Sequence, residues 1–222
     1  MAPNALLPGD PARALALAQE LLDQPLMSNH ARGLWGYSGT TSSGDPLTIQ
    51  STGIGAASGA VVLAELAGLG VERAVRLGTC RALDRGRNSA EPGDVLIAER
   101  VIALDGVSAG LSASGPGGVF VPDAELTSAL TAEVAGAATT IVGVDPLSPV
   151  GPEAIETPEE AVATDLQVAA LVAAGREVEL SVGCVDLVVE SSDGSEALDD
   201  EEVMAASIRI GREASRALSR AG

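Results

Sequence analysis

The chain has 222 residues, 46% of them hydrophobic, enough to bury one sizeable core and too little for two ordinary large domains. It carries 31 acidic residues against 13 basic ones, all of the latter arginine, for a formal net charge of -18. Such a field repels polyanions and excludes nucleic acid as a partner, yet a few arginines gathered in one cleft can hold a small anion through bidentate hydrogen bonds.

Asn4 to Leu7 reads as a short strand that stops at Pro8-Gly9-Asp10-Pro11. Ala12 to Leu22 then has helix-forming composition, with Asp10 placed to cap it. Leu47 to Thr52 is a strand, followed by Gly53-Ile54-Gly55 and an Ala-rich helix from about Ala56 to Leu69 that ends at Gly70, where a glycine C-cap fits. Val71 to Leu77 and the β-branched Val95 to Ile102, bounded by Pro92-Gly93-Asp94, are further strands. Ser112 to Gly118 is a loop, Asp123 to Ala135 a helix and Thr139 to Val144 a buried strand. Pro158 to Ala174 is one helix, or a short strand end followed by a helix; Val178 to Val189 is a strand and Asp199 to Ala221 a long amphipathic helix. Strands alternating with helices predict one α/β domain over residues 1–222, with a parallel or mixed central sheet covered by helices on both faces.

Trp35, Tyr37 and Phe120 are the only aromatic residues, so the core and any pocket for a flat ring must be mostly aliphatic. Cys80 and Cys184 sit in apolar surroundings with no CxxC or His/Cys cluster, which predicts buried reduced thiols, no disulfide and no metal. No basic region precedes a long apolar stretch at the N-terminus, and no segment reaches the run of about eighteen apolar residues that a membrane helix needs. A cytoplasmic location without a membrane partner is expected.

In an α/β fold the site lies at the C-terminal ends of strands, where loops meet helix N-termini. Gly9 would expose a backbone N–H at a helix start, with Arg13 one turn into that helix; amide, dipole and guanidinium would converge on one anion. Arg32 follows in Asn29-His30-Ala31-Arg32-Gly33. Arg76 lies near the end of an apolar strand in Arg76-Leu77-Gly78-Thr79, where an unpaired buried guanidinium would be costly. A bound oxyanion, with the Thr79 hydroxyl as a further donor, would be a partner for it.

These residues resemble the nucleoside phosphorylase and uridine phosphorylase superfamily. Leu7-Pro8-Gly9-Asp10-Pro11-Ala12-Arg13-Ala14 is similar to its first phosphate loop, Ser51-Thr52-Gly53-Ile54-Gly55 to its central Gly-rich turn, and Arg76-Leu77-Gly78-Thr79-Cys80 to its third phosphate segment. The likeness continues through Glu91-Pro92-Gly93-Asp94-Val95 and through Leu104-Asp105-Gly106-Val107-Ser108, the latter most like the uridine-cleaving branch. It implies a single-domain nucleoside-phosphorylase-like fold, with phosphate contacts from Gly9, Arg13, Arg76 and Thr79. Arg32 stands where members often lend an arginine across a dimer interface, and His30 falls beside it.

Thr164-Asp165-Leu166-Gln167-Val168-Ala169-Ala170-Leu171 resembles the segment in which the family carries Met-Glu, whose carboxylate grips the ribose hydroxyls. Gln167 stands in place of that glutamate and would be the ribose contact, with one carbonyl acceptor and no charge; Asp165 could substitute only with a shift of register. Alternatively the segment is an apolar helix packing on the sheet. Asp186 falls near the aspartate that protonates the base in purine-cleaving relatives, a general-acid role that needs an enclosed site and a raised carboxyl pKa. Other departures are Arg81 in a position usually held by glycine, where it would strengthen anion binding or fill the nucleoside pocket, and Asp145-Pro146-Leu147, which offers no base-stacking aromatic.

The activity implied is a pentosyltransferase: inorganic phosphate, as co-substrate, cleaves the N-glycosidic bond of a nucleoside to ribose 1-phosphate and free base, without metal or organic cofactor. Arg13 and Arg76 together favour phosphorolysis over hydrolysis. Leu104 to Ser108 leans to uridine, Asp186 to purine, and the balance is for uridine. The alternative is a catalytically impaired homologue that binds phosphate or a nucleoside without turnover, and restoring Gln167→Glu separates the two. The resemblance also implies a dimer-based homo-oligomer, a trimer or a hexamer. The acidic run Asp199-Asp200-Glu201-Glu202 and the arginines Arg209, Arg212, Arg216 and Arg220 read as complements of one helix dipole, not as a site.

Overall fold

The segment Pro8-Gly9-Asp10-Pro11 does what its residue types dictate. The strand β1 (Asn4–Pro8) stops at a proline, and the helix α1 (Pro11–Leu21) begins on the next one, with the Asp10 side chain accepting from the Arg13 amide at 2.9 Å. The computed structural model describes residues 1–86, 89–145 and 157–221. After α1 come β2 (Leu22–Asn29), a short 3₁₀ turn at Ala31–Gly33, β3 (Gly36–Thr41), β4 (Pro46–Gln50), α2 (Gly55–Gly68), β5 (Arg73–Ala82) and β6 (Val95–Ala103). The rest are α3 (Gly106–Leu111), β7 (Gly118–Phe120), α4 (Ala124–Glu133), β8 (Ala137–Gly143), β9 (Ala161–Asp165), α5 (Val168–Glu177), β10 (Ser181–Glu190) and α6 (Asp200–Arg220).

The chain forms the expected mixed central sheet flanked by helices. β1 lies parallel between β4 and β5, β3 and β2 continue antiparallel to the outer edge, and β5 runs parallel to β10. On its other side β5 pairs antiparallel with β9, and β9, β8, β6 and β10 follow in turn, so five strands close on themselves while β1, β4, β3 and β2 extend as an open wing and β7 pairs with β6. One face of the sheet is covered by α2, α3 and α5, the other by α1, α4 and α6. Helix α5 is buried along its first eight residues, which only small and aliphatic side chains such as Ala169, Ala170 and Ala173 allow.

The helix ends follow local chemistry. Gly70, with φ of +92°, takes the left-handed position just after α2 that glycine adopts without steric cost. Asp199 and Glu202 form a reciprocal capping box at the start of α6. Arg212 of that helix pairs with Glu20, and Arg216 and Arg220 pair with Glu133, so these arginines are surface partners. Pro158 to Ala174 resolves into the strand β9 and the helix α5, the second of the two readings the sequence allowed.

Four elements went unforeseen: β2, β3, α3 and β7. β2 carries its apolar Leu26 and Met27 on the exposed side and β3 is built of Gly, Ser and Thr around a single buried Tyr37, so no apolar alternation marks either strand. Pro25 is tolerated in β2 because it is the edge strand. Gly36 of β3 is required by packing, since a Cβ there would overlap the Gln50 carboxamide.

Candidate functional site

Parallel pairing of β1 with β5 places Leu7 beside Arg76 and Pro8 beside Leu77, bringing the first and third glycine-containing turns together at one end of the sheet. The central turn is stitched to the first: the Thr52 amide donates to the Pro8 carbonyl and the Gly53 amide to the Gly9 carbonyl, each at 2.9 Å. Beyond these turns lies a cleft of about 1170 Å³, lined among others by Gly9, Arg13, Arg32, Arg76, Thr79 and Gln167. All six residues assigned to phosphate or ribose therefore border one space. Asp186 does not line it, nor does His30, which is exposed on the neighbouring turn.

Arg13 is buried, with Nη1 reaching the Leu77 carbonyl at 3.5 Å. At Gly9 a Cβ would press on the Gly53 carbonyl at 3.3 Å and meet Arg13 Nη2 at an ordinary 3.5 Å, so the glycine serves the close approach of the two turns. Burial and the nearby Arg76 guanidinium lower its pKa, opposed by Asp10, Asp186 and Asp165. Arg32 is exposed and holds the left-handed conformation, φ 57°, beside Gly33. That conformation is uncommon for a non-glycine residue.

Arg76 is the centre of a closed cluster. Its Nη2 pairs with Asp165 Oδ2, its Nη1 donates to Gln167 Oε1 at 2.8 Å, and its Nε lies 3.6 Å from Asp186 Oδ1. Burial alone would depress its pKa, but Asp165 and Asp186 outweigh burial and hold it above the ordinary value. Asp186, fully buried on β10 in register with Gly78, lies behind this guanidinium and away from the cleft. Burial first, then the negative charge of Asp165, pushes its carboxyl up to about 8, with Arg76 and Arg13 limiting the rise. Cys80 and Cys184 are buried and unpaired, and burial followed by Asp186 pushes both thiols well up.

Gln167 has every hydrogen-bonding position filled within the protein. Its Oε1 accepts from the Thr52 hydroxyl and from Arg76, each at 2.8 Å, and its Nε2 donates to the carbonyls of Gly53 at 3.1 Å and Gly55 at 3.0 Å. Gly59 of α2 permits this approach, because a Cβ there would lie 3.3 Å from the carboxamide. In this state Gln167 is a latch between α5, Arg76 and the central glycine turn, and no lone pair is left over for a sugar hydroxyl.

Arg81 neither joins the anion cluster nor fills the cleft. It reaches the carbonyls of Ser191 and Ser192 and the Glu190 carboxylate, tying down the turn after β10. The uridine-like segment Leu104 to Ser108 is the start of α3, where buried Asp105 caps the amides of Val107 and Ser108 and Asp145 accepts from Gly106. Pro146 and Leu147 lie outside the described residues. Asp165 is the residue that sequence reading undervalued: its Oδ1 accepts from the Gln167 amide at 2.6 Å and from the Val168 amide while Oδ2 holds Arg76. An aspartate just ahead of a helix start was the available signal for it.

Gly78 makes the crossing of Arg76 and Asp186 possible. A Cβ there would overlap Asp186 Oδ1 and come within 2.8 Å of Arg76 Nε and Nη2. Gly78→Ala is expected to destabilise the fold by about 1–3 kcal/mol, as overpacking does, and urea unfolding monitored by circular dichroism would measure it. Stability equal to the parent would show that the cluster is loosely held.

Among the described residues no helix is long and apolar enough to cross a membrane, and no group of three or more His, Cys, Asp or Glu side chains could hold a metal ion. The purine nucleoside phosphorylase DeoD-type of Oceanobacillus iheyensis is 37% identical over 100 residues, covering 45% of this chain and 41% of that protein. The uridine phosphorylase of Haemophilus influenzae is 39% identical over 104 residues, covering 47% of this chain and 39% of its own. The DeoD-type enzyme of Clostridium novyi is 37% identical over 86 residues, 38% of this chain and 36% of that one. Each match spans less than half the length of the relative. The model of the phosphorylase superfamily matches residues 3–221, nearly the whole chain, and with the paired glycine turns and the two buried arginines beside one cleft, this chain belongs to the phosphorylase superfamily.

Proposed function

We propose that the protein is a nucleoside phosphorylase. The observation that carries this reading is the meeting of the Gly9 turn at the start of α1, buried Arg13, buried Arg76 and Thr79 on one cleft. Backbone amides at a helix N-terminus and two guanidinium groups are the donors a phosphate needs, and they stand in a dry wall where each acts more strongly than in water.

Phosphate seated there attacks the anomeric carbon of a bound nucleoside. A C–O bond forms, the C–N bond breaks, and its electron pair leaves with the base. The arginines orient the nucleophile under a sugar that develops positive charge, so positioning and electrostatics supply the catalysis, and no metal or organic cofactor takes part. The nucleoside is uridine-like on the strength of Leu104 to Ser108. The enzyme works in the cytoplasm as a single domain, in a dimer-based homo-oligomer to which Arg32 of each copy contributes. Exposed Ile54, Val61 and Leu69, an apolar border of the cleft, support its being covered by a second copy.

A second reading, a phosphate-binding homologue without turnover, is favoured by the filled hydrogen-bond positions of Gln167 and by the place of Asp186 behind Arg76. Base release from a panel of purine and pyrimidine nucleosides, with and without inorganic phosphate, separates the two. Phosphate-dependent release that falls at least about 100-fold in Arg13→Ala is the expected result, in line with removal of one preorganised charged donor. Phosphate binding with no release from any nucleoside would establish the second reading.

A further inference from the structure

We propose that Asp186 is a positioning residue whose carboxyl group takes up a proton when an oxyanion binds beside Arg13 and Arg76, so that anion affinity is linked to a carboxylate outside the cleft. This rests on the reading of the cleft as an anion site.

Two carboxylates, Asp165 and Asp186, flank one guanidinium in a space from which solvent is excluded. With both ionised the trio carries one net negative charge that the neighbouring Arg13 only balances, and an arriving oxyanion leaves the group net negative in a medium that screens poorly. A proton relieves the repulsion, and the two carboxylates are unequal candidates for it. Both oxygens of Asp165 are already engaged, Oδ1 by the amides of Gln167 and Val168 at the start of α5 and Oδ2 by Arg76 Nη2. Asp186 has no hydrogen-bond partner for either oxygen among the described residues, and Arg76 Nε, 3.6 Å away, is likewise without one. The proton therefore goes to Asp186. When Asp186 is ionised it draws on the same guanidinium that must serve the anion; when protonated it leaves Arg76 to Asp165 and the ligand.

The charges acting on Asp186 are Asp165 from the β9–α5 turn, Arg76 from β5 and Arg13 from α1. Its nearest further titratable neighbours are the protonated thiols of Cys80 on β5 and Cys184 on its own strand. β6 sets Leu96 opposite it, and α5, packed on β10, has Arg176 and Glu177 exposed at its far end. The carboxyl titrating near 8 agrees with a group poised to change state in the physiological range.

Sulfate is the appropriate probe, because it does not itself titrate near neutrality. Isothermal calorimetry between pH 7 and 9.5, in two buffers of different ionisation enthalpy, should show uptake of about half a proton per sulfate near pH 8.5 and about tenfold weaker binding at pH 9.5 than at 7. Asp186→Asn, which mimics the protonated form, should keep the pH 7 affinity throughout and take up no proton. Sulfate binding with flat affinity and no proton uptake in the parent protein overturns the linkage without touching the anion site, and this arm does not depend on the variant folding. Uptake that persists in Asp186→Asn also overturns it, assigning the proton to another group. If neither sulfate nor inorganic phosphate binds at any pH, the anion site itself is refuted and the linkage with it.

Discussion

Arg76→Met is expected to lower the stability of the folded chain by about 3–5 kcal/mol at pH 8, because it strands two buried carboxylates that share this one cation. The loss depends on pH with a definite sign. Arg76 restrains the rise of the Asp186 pKa to about 8; without it that carboxyl rises further above the value of about 4 that it has in an unfolded chain, and Asp165 loses the cation it is paired with. An acid whose folded pKa is raised binds its proton more tightly in the native state, so its destabilising effect is absent below about pH 4 and grows as pH climbs toward the folded value. Urea midpoints of Arg76→Met should therefore fall more steeply than those of the parent between pH 5 and 9. Adding Asp165→Asn and Asp186→Asn should recover most of the loss, since the two amides need no counter-charge. A single variant as stable as the parent at pH 8 would mean that water reaches the cluster.

The second large effect concerns Gln167→Glu. The resemblance to a glutamate-bearing segment makes this exchange the test between an eroded site, which would gain turnover, and a binding homologue, which would not. The geometry predicts no gain. The Nε2 group donates to the carbonyls of Gly53 and Gly55, and a carboxylate oxygen in its place would face two acceptors. It would also stand as a further negative charge on Arg76 beside Asp165 and Asp186. A stability loss of about 2–4 kcal/mol and no gain in base release are expected, read by urea unfolding and by the phosphorolysis assay. A variant that folds as well as the parent and turns over a nucleoside faster would show that the latch opens on substrate binding and that the sugar site needs only its charge restored.

Both predictions centre on a cluster that was only partly visible in the linear chain. Gly9 and Arg13 were legible because they depend on local rules: a proline-glycine stop, an aspartate cap, and an arginine one turn into the helix. Arg76 was legible as a buried charge in need of a partner, but that Asp165 and Asp186 are its partners follows from sheet pairing. β10 joins β5 with Asp186 opposite Gly78, and β9 meets β5 only at Arg81 and Ala82, carrying Asp165 and α5 across. Residues 89 and 110 positions apart in sequence have no short-range signature of their meeting. The same reason hid the role of Arg81, whose partners on the turn after β10 are equally remote.

By itself the sequence determined the α/β alternation, the capped start of α1, the helices α4 and α6, the aliphatic core and the glycine turns that border the cleft, because periodicity, caps and turn glycines are written within a few consecutive positions. Tertiary structure alone decided that five strands close on themselves, that β2 and β3 form the outer edge of the sheet, that Gln167 latches the central turn, and that Asp186 stands behind Arg76 instead of facing the cleft. These are matters of which strand lies beside which and of what each buried polar atom finds within hydrogen-bonding reach, and such pairings are selected by the packing of the whole sheet.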